Sequence, residues 1–119
     1  MSRRNRKRRP SDTRPEPEID VDVADRGDEY VLTADLPGIR KQDIDLWVRK
    51  NRVQIVVDPD SDPDAEGAFA RRARERGPVS RTLRLPERVD ERRTDAEYLD
   101  GRLRVTLPKR ERRRRIQVE

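Results

Sequence analysis

The acidic loop at residues 58–67 is the part of this sequence with the clearest potential for metal chemistry. Carboxylates recur at every second position, at Asp58, Asp60, Asp62 and Asp64. A calcium-binding EF-hand loop requires Gly at its sixth position and Glu at its twelfth. Counting from Asp58 puts Pro63 at the sixth position, and counting from Asp62 puts Gly67 there but Ala73 in place of the Glu. We therefore interpret the loop as solvated and predict no metal site.

Other residue types used in catalysis are scarce. The chain has no Cys and no His, which excludes disulfides, Cys/His metal sites and catalysis by either side chain. None of its five Gly belongs to a phosphate-binding loop. The serines, which lack any His to act as a general base, are Ser2, Ser11, Ser61 and Ser80. The sequence predicts no catalytic residue, no cofactor and no enzyme activity.

The last residues offer recognition instead of catalysis. Ile116 and Val118 flank Gln117 after the charged connector Lys109–Arg115, so an extended backbone places both apolar side chains on one side. This pattern is typical of a peptide that lies along a sheet and inserts alternate side chains into apolar pockets. Burying each side chain stabilises the contact by roughly 1.5–3 kcal/mol before ordering costs, which indicates weak, reversible docking. The alternative is that the two side chains remain exposed to solvent or fold back on their own domain.

The composition allows one small domain with a thin core. Of 119 residues, 30% are hydrophobic and 46% are charged, and a chain this small buries only about 60–70% of its unfolded surface. Sharing apolar surface with a second chain would help, which favours an oligomer. The net charge of +5 is located in the ends: residues 1–18 carry seven basic and three acidic side chains, and residues 110–119 carry five and two.

Residues 1–18 are Arg-rich and then Pro-rich, with no periodic apolar pattern. We predict a disordered basic N-terminal arm, in which Arg3–Arg9 either contact nucleic acid or another polyanion or only keep the protein in solution. The arm lacks the apolar region of a secretory signal, and no apolar run reaches the roughly 18–20 residues of a membrane span. The expected location is the cytoplasm.

The rest of the chain shows the period-two alternation of half-buried strands. The alternating segments are Ile19–Ala24, Glu29–Leu36, Ile44–Arg49, Arg52–Val57 and Val79–Leu85. Ala96–Leu107 is expected to contain a tight turn at Asp100-Gly101 and then a strand. Between strands, residues 39–43 are expected to link with one helical turn, and Arg81, on an apolar face, to need a paired carboxylate. Short strands joined by turns predict an all-β sandwich.

Four motifs give the sequence a family resemblance. The first consists of Ala96, Asp100, Gly101 and Leu103, followed by Leu107-Pro108. The others are Ala34-Asp35-Leu36-Pro37-Gly38, Arg81-x-Leu83-x-Leu85-Pro86 and Ile116-Gln117-Val118. In this order they resemble the small heat-shock protein, or α-crystallin, family from about residue 19 to the end. The resemblance implies an immunoglobulin-like α-crystallin β-sandwich at residues 19–109, a C-terminal extension at 110–119 and an ATP-independent holdase that keeps unfolded clients from aggregating under stress.

The resemblance also implies two subunit contacts. The Ile116 and Val118 anchor would enter a groove of a neighbouring subunit, between Ile44–Arg49 and Leu103–Leu107. The residues expected to line this groove are Leu46, Val48, Leu103 and Val105. The insert Ala68–Gly77 would form a strand that pairs with the edge strand Ile19–Ala24 of a second subunit, giving a homodimer. The matching positions of this exchange loop are Phe69, Arg71, Arg72 and Arg74; the alternative is a helix within residues 65–76 that has no partner role.

The N-terminal arm departs from the family pattern. The family's arm is longer, apolar and aromatic, whereas residues 1–18 are short, basic and free of aromatics, which favours a dimer or small oligomer over a large shell. Two other functions remain open. The sandwich could be an adaptor for one specific assembly, or the Arg-rich ends could bind nucleic acid with a steep salt dependence. No membrane partner is expected.

Overall fold

The computed structural model describes residues 17–59, 62–110 and 117–119. The predictions made for most of the basic arm (residues 1–16), for Asp60 and Ser61, and for Ile116 and the greater part of the charged connector lie outside these described residues.

Within the described ranges the chain folds into two antiparallel sheets and one α-helix. The strands are β1 (Asp20–Asp25), β2 (Glu29–Asp35), β3 (Ile44–Arg49), β4 (Arg52–Val57), β5 (Val79–Arg84), β6 (Asp95–Leu99) and β7 (Arg102–Pro108), and the helix is α1 (Ala68–Arg76). One sheet has the order β1-β2-β7-β6 and the other β3-β4-β5. Single 3₁₀ turns occur at Lys41–Asp43 and Glu91–Arg93. The all-β sandwich and the helical turn before β3 are confirmed.

The alternation along the strands builds the core, because successive side chains of a strand point to opposite faces. The buried side chains of β2, β4 and β7 face one another between the sheets. They are Tyr30, Leu32, Ala34, Val53, Ile55, Val57, Leu103, Val105 and Leu107. Polar and charged side chains take most of the opposite faces. The central strands of both sheets are therefore fixed by the sequence pattern alone.

The segment Ala96–Leu107 contains two strands, where the sequence predicted a turn and one strand. Asp100 and Gly101 have φ of +53° and +79°, and Leu99 pairs with Arg102 across them. Two positive φ values give a two-residue hairpin whose twist matches its strands. The residues before the turn consequently form β6 at the edge of the four-stranded sheet. The alternation of Ala96 and Tyr98 was the available signal for this strand.

The segment Ala68–Gly77, expected as a strand paired with a second subunit, contains the helix α1 in the single chain. Ala and Arg are among the strongest helix formers. Ala70 and Ala73 lie on one face, as residues three apart do in a helix, and both are buried. Gly77, with φ of +94°, ends the helix by donating its N–H to the Ala73 carbonyl at 2.9 Å. The helical alternative is the one that the structure shows.

Arg81 and Lys109 lie in environments that the sequence did not predict. Arg81 is exposed, and its Nη1 donates to the carbonyl oxygen of Ile19 at 2.8 Å. Among the described residues, the Arg81 guanidinium therefore bonds to a backbone carbonyl and not to a carboxylate. Lys109 was expected both as the last residue of the sandwich at 19–109 and as the first of the connector; its side chain is only 4% exposed and its backbone bridges to Val89. The folded part of the chain includes this residue.

No helix within residues 17–59 and 62–110 is both long enough and apolar enough to cross a bilayer.

Candidate interaction surfaces

An apolar groove opens between β3 and β6, which are edge strands of the two different sheets. It has a volume of about 200 Å³. Its lining residues are Lys41, Ile44, Leu46, Ala96, Glu97, Tyr98 and Leu103. Apolar side chains form its interior, and Lys41 and Glu97 add one charge of each sign. The groove can accept small apolar side chains presented by an extended segment.

This groove differs from the one expected on the sequence. Leu46 and Leu103 are lining residues, but Val105 is fully buried and Val48 packs against the core without lining the groove. The reason is that β7 lies between β2 and β6 in its sheet. Most of its inner side chains are therefore covered, and β6 forms the second wall together with Leu103 at the start of β7. The lining residues that the sequence interpretation missed are Lys41, Ile44, Ala96, Glu97 and Tyr98.

Tyr98 connects the β6 wall to the loop that follows β2. Its hydroxyl lies 2.6 Å from the carbonyl oxygen of Leu36 and 2.7 Å from that of Ile39, and its single proton is shared between these two acceptors. Burial raises the pKa of the Tyr98 hydroxyl. The neutral phenol is thus the form that holds the groove wall in place.

The motifs at residues 34–38 and 96–103 meet at the start of β7. Ala34 pairs with Leu103 across β2 and β7, and the Leu36 N–H donates to the Gly101 carbonyl at 2.6 Å. The Arg102 Nε lies 3.1 Å from Asp35 Oδ1. These contacts give both motifs a structural role, namely to join the loop after β2 to the β6–β7 turn.

The helix α1 covers part of its own sandwich. Phe69 is partly buried against the core, while Arg71 and Arg74 are exposed. Arg72 Nη1 donates to the Gly77 carbonyl at 3.1 Å, and Arg74 Nη1 donates to the Ala65 carbonyl at 3.3 Å. The four exchange-loop positions therefore lie on a helix that packs against their own subunit.

The outer edge of the four-stranded sheet is acidic. β1 has one neighbour, β2, among the described strands, so its other side is an unpaired edge that can accept a further strand. Asp20 and Asp22 are exposed there, and Val23, on the inner face, is 40% exposed. This edge combines carboxylates with an incompletely covered apolar side chain.

Sequence and structure comparisons identify relatives with the same architecture. A family model described as Hsp20/alpha crystallin family matches residues 22–119. The chain belongs to this family. The 18 kDa heat shock protein of Clostridium acetobutylicum is 37% identical over 92 residues, which are 75% of this chain and 60% of that protein. The 18 kDa antigen of Mycobacterium leprae is 36% identical over 102 residues, 83% of this chain and 68% of that protein.

Solved structures of small heat-shock proteins show the same fold. One from Xylella fastidiosa is 31% identical, with a TM-score of 0.59 over 88% of this chain and 99% of that chain. Heat shock protein 16.0 from Schizosaccharomyces pombe gives a TM-score of 0.61 over 87% of this chain and 100% of that chain, at 24% identity. The α-crystallin sandwich predicted from the motifs is thereby confirmed.

Of the two tail-anchor residues, Ile116 and Val118, the structure describes Val118. Val118 is 95% exposed, so its side chain does not pack on its own domain. Ile116 lies outside the described residues. The structure leaves Val118 available to a partner but does not place it in a groove.

A buried cation at the end of the sandwich was missed by the sequence interpretation. Lys109 Nζ lies 3.0 Å from Asp25 Oδ1, 3.2 Å from Glu87 Oε2 and 4.8 Å from the centre of the Tyr30 ring. The hydrogen bond to Asp25 is the main cause that raises the Lys109 pKa, with Glu87 adding to it against the effect of burial. This Lys109 cluster ties β7 to the β1–β2 hairpin and to the loop after β5. Its members are spread over 84 positions of sequence, so no local pattern indicates it.

Proposed function

We propose that this chain is an ATP-independent chaperone of the small heat-shock class, which holds partly unfolded proteins and prevents their aggregation. The observation that carries the proposal is the open apolar groove between β3 and β6, in a chain that belongs to the Hsp20/alpha crystallin family. A holdase needs exposed apolar surface and no catalytic residue, and the groove supplies such a surface. The expected location of this activity is the cytoplasm.

The same groove is the proposed receptor for the Ile116 and Val118 anchor of a neighbouring subunit. Two β-branched side chains on one side of an extended segment fit a channel lined by Ile44, Leu46 and Leu103. Tail and client would compete for this channel, because both offer extended apolar segments. Release of the tail would then expose the client site.

Dimerisation through α1 is a further part of the proposal. The acidic edge of β1 is complementary in charge to a segment carrying Arg71, Arg72 and Arg74, which supports pairing between subunits. Gly67 and Gly77 bound the segment and have φ of +104° and +94°, so both can act as hinges. Because the segment is a helix on its own subunit, exchange requires α1 to unfold and leave its site.

The test is light scattering of a heat-labile client with and without an equimolar amount of the full chain, without ATP. Suppressed scattering is the expected result. A Leu46→Asp variant should suppress less, because a carboxylate in the groove disfavours apolar binding, while an Asp45→Asn variant on the opposite face of β3 serves as control. No suppression by the folded wild-type chain would overturn the holdase proposal and favour an adaptor with one specific partner.

A further inference from the structure

The outer face of the three-stranded sheet carries the single Trp of the chain beside a row of arginines. Trp47 lies in the middle of β3 on the side away from the core and is 64% exposed. Gln54 and Thr82 lie across from it on β4 and β5. The next row on the same face consists of Arg49, Arg52 and Arg84. We refer to Trp47 and these three arginines as the Trp–Arg face.

The three arginines are direct cross-strand neighbours of like charge. All three are exposed, and none forms an ion pair with a carboxylate of the described residues. Like charges directly opposite each other destabilise a sheet. Folding stability therefore gives no reason for this row, whereas an anion bound from solution would neutralise it.

The adjoining β3–β4 hairpin extends the positive region. Arg49, Lys50, Asn51 and Arg52 line a cavity of about 260 Å³. The backbone N–H of Lys50 donates to Glu91 Oε2 at 2.6 Å, so one carboxylate stands against the three cationic side chains that line this cavity. The one carboxylate on the outer face of β3, Asp45, lies on the other side of Trp47, opposite Val56.

We propose that the Trp–Arg face binds single-stranded nucleic acid, with Trp47 stacked on a base and the arginines on phosphates. A flat sheet with an exposed aromatic and cations is the combination used for sequence-tolerant binding of single strands. An indole favours bases over the carboxylates of an acidic peptide, and a duplex leaves its bases inaccessible to stacking. The row spans about 10 Å across three strands, enough for roughly three stacked nucleotides. This activity is independent of the holdase proposal.

The test uses the fluorescence of Trp47, which as the only Trp reports on this face alone. Titration of the full chain with a 12-nucleotide oligoadenylate should quench it saturably. Anisotropy of the labelled oligonucleotide should show binding weakened about 5- to 150-fold by Trp47→Ala and largely kept by Trp47→Phe. Replacing the three arginines of the row with Gln should reduce the slope of log K against log salt by about 2.

A matched variant with the same loss of charge separates this face from a general effect of net charge. It replaces three exposed arginines elsewhere, namely Arg26→Gln, Arg93→Gln and Arg104→Gln, and should keep most of the affinity. Binding without a change in Trp47 fluorescence would place the contact away from this face and overturn the proposal. Equal losses in both triple variants, or equal quenching by polyglutamate or by duplex DNA, would also overturn it. Circular dichroism verifies that each variant is folded.

Discussion

Gly101 and Pro37 approach so closely that a Cβ on Gly101 would lie 3.2 Å from the Pro37 Cα. The approach brings the loop after β2 against the β6–β7 turn. It accompanies the hydrogen bond from the Leu36 N–H to the Gly101 carbonyl. A side chain at Gly101 would have to displace backbone, which is stiffer than the end of a flexible side chain. The Asp-Gly of the turn is therefore required for packing as well as for its dihedral angles.

Replacement of Gly101 tests this relationship. Gly101→Ala should lower the free energy of unfolding by about 2–4 kcal/mol, because the strain of a positive φ adds to the contact with Pro37. Gly38 is a matched control, since its φ of +78° is nearly that of Gly101, at +79°, and a Cβ there meets nothing within 4 Å. Gly38→Ala should lower the free energy of unfolding, measured by urea denaturation, by about half as much. Equal losses would show that the contact with Pro37 adds nothing.

Removal of the Tyr98 hydroxyl should destabilise the fold modestly. Tyr98→Phe leaves the carbonyls of Leu36 and Ile39 without this donor, at a cost of about 1–2 kcal/mol at pH 7. The raised pKa adds a pH dependence. The unfolded chain ionises its Tyr first, so the stabilisation is complete below the usual pKa of 10.0 and is lost as the pH rises through the folded value.

The stability difference between wild type and Tyr98→Phe should therefore shrink as the pH rises above the usual Tyr pKa of 10.0. Urea denaturation monitored by circular dichroism at a series of pH values measures it. A difference that does not change over this range would contradict the assigned role of the neutral phenol.

Lys109 should make the stability of the protein decrease at high pH, because its pKa, like that of Tyr98, is raised in the folded state. Its pKa is raised in the folded state, so the folded chain holds this proton more tightly than the unfolded chain. Its contribution is complete below the ordinary value of 10.5 and decreases as the pH rises through the folded value. Lys109→Met should lower Tm at pH 8 and flatten the decline of Tm above pH 10.

The exposed Lys41 provides the control for Lys109. Lys41→Met removes the same charge at a site with high exposure and should leave both Tm and its alkaline slope nearly unchanged. Similar Tm profiles for the two variants would mean that the Lys109 cluster contributes nothing beyond a surface charge.

A larger side chain on the buried face of α1 should weaken the packing of this helix against its own subunit. Ala73→Leu inserts a larger side chain at a buried position, which costs about 1–3 kcal/mol of packing and should loosen α1 from its own subunit. If α1 exchanges between subunits, the dimer fraction in sedimentation velocity should rise. Ala68→Leu, at an exposed position of the same helix, is the control. A dimer fraction that falls for Ala73→Leu alone would indicate that the docked helix itself maintains the dimer.

The tail anchor should control assembly without affecting the domain. Ile116→Ala combined with Val118→Ala should lower the mean oligomer mass in native mass spectrometry, because the pair would lose the apolar contact with a neighbouring groove. Gln117→Ala, which keeps both apolar side chains, should assemble like wild type. An unchanged mass distribution in the double variant would rule out tail docking.

The sequence by itself determined the central strands, the β6–β7 turn and the family. Alternation at β2, β4 and β7 reflects local geometry, since each side chain follows from its position in a pleated strand. The Asp100-Gly101 turn likewise depends on two adjacent residues. The four motifs together are sufficient to indicate the α-crystallin sandwich.

Only the tertiary structure decided the groove, the state of the insert and the Lys109 cluster. The groove depends on which strands lie at the sheet edges, and β6 supplies most of the wall that the sequence assigned to β7 alone. The insert has strong helix propensity, but its state depends on whether Phe69 and Ala73 find a surface to pack against. Lys109 is buried because Asp25 and Glu87 converge on it from distant segments. Such contacts arise from the pairing of strands far apart in sequence, which local patterns do not encode.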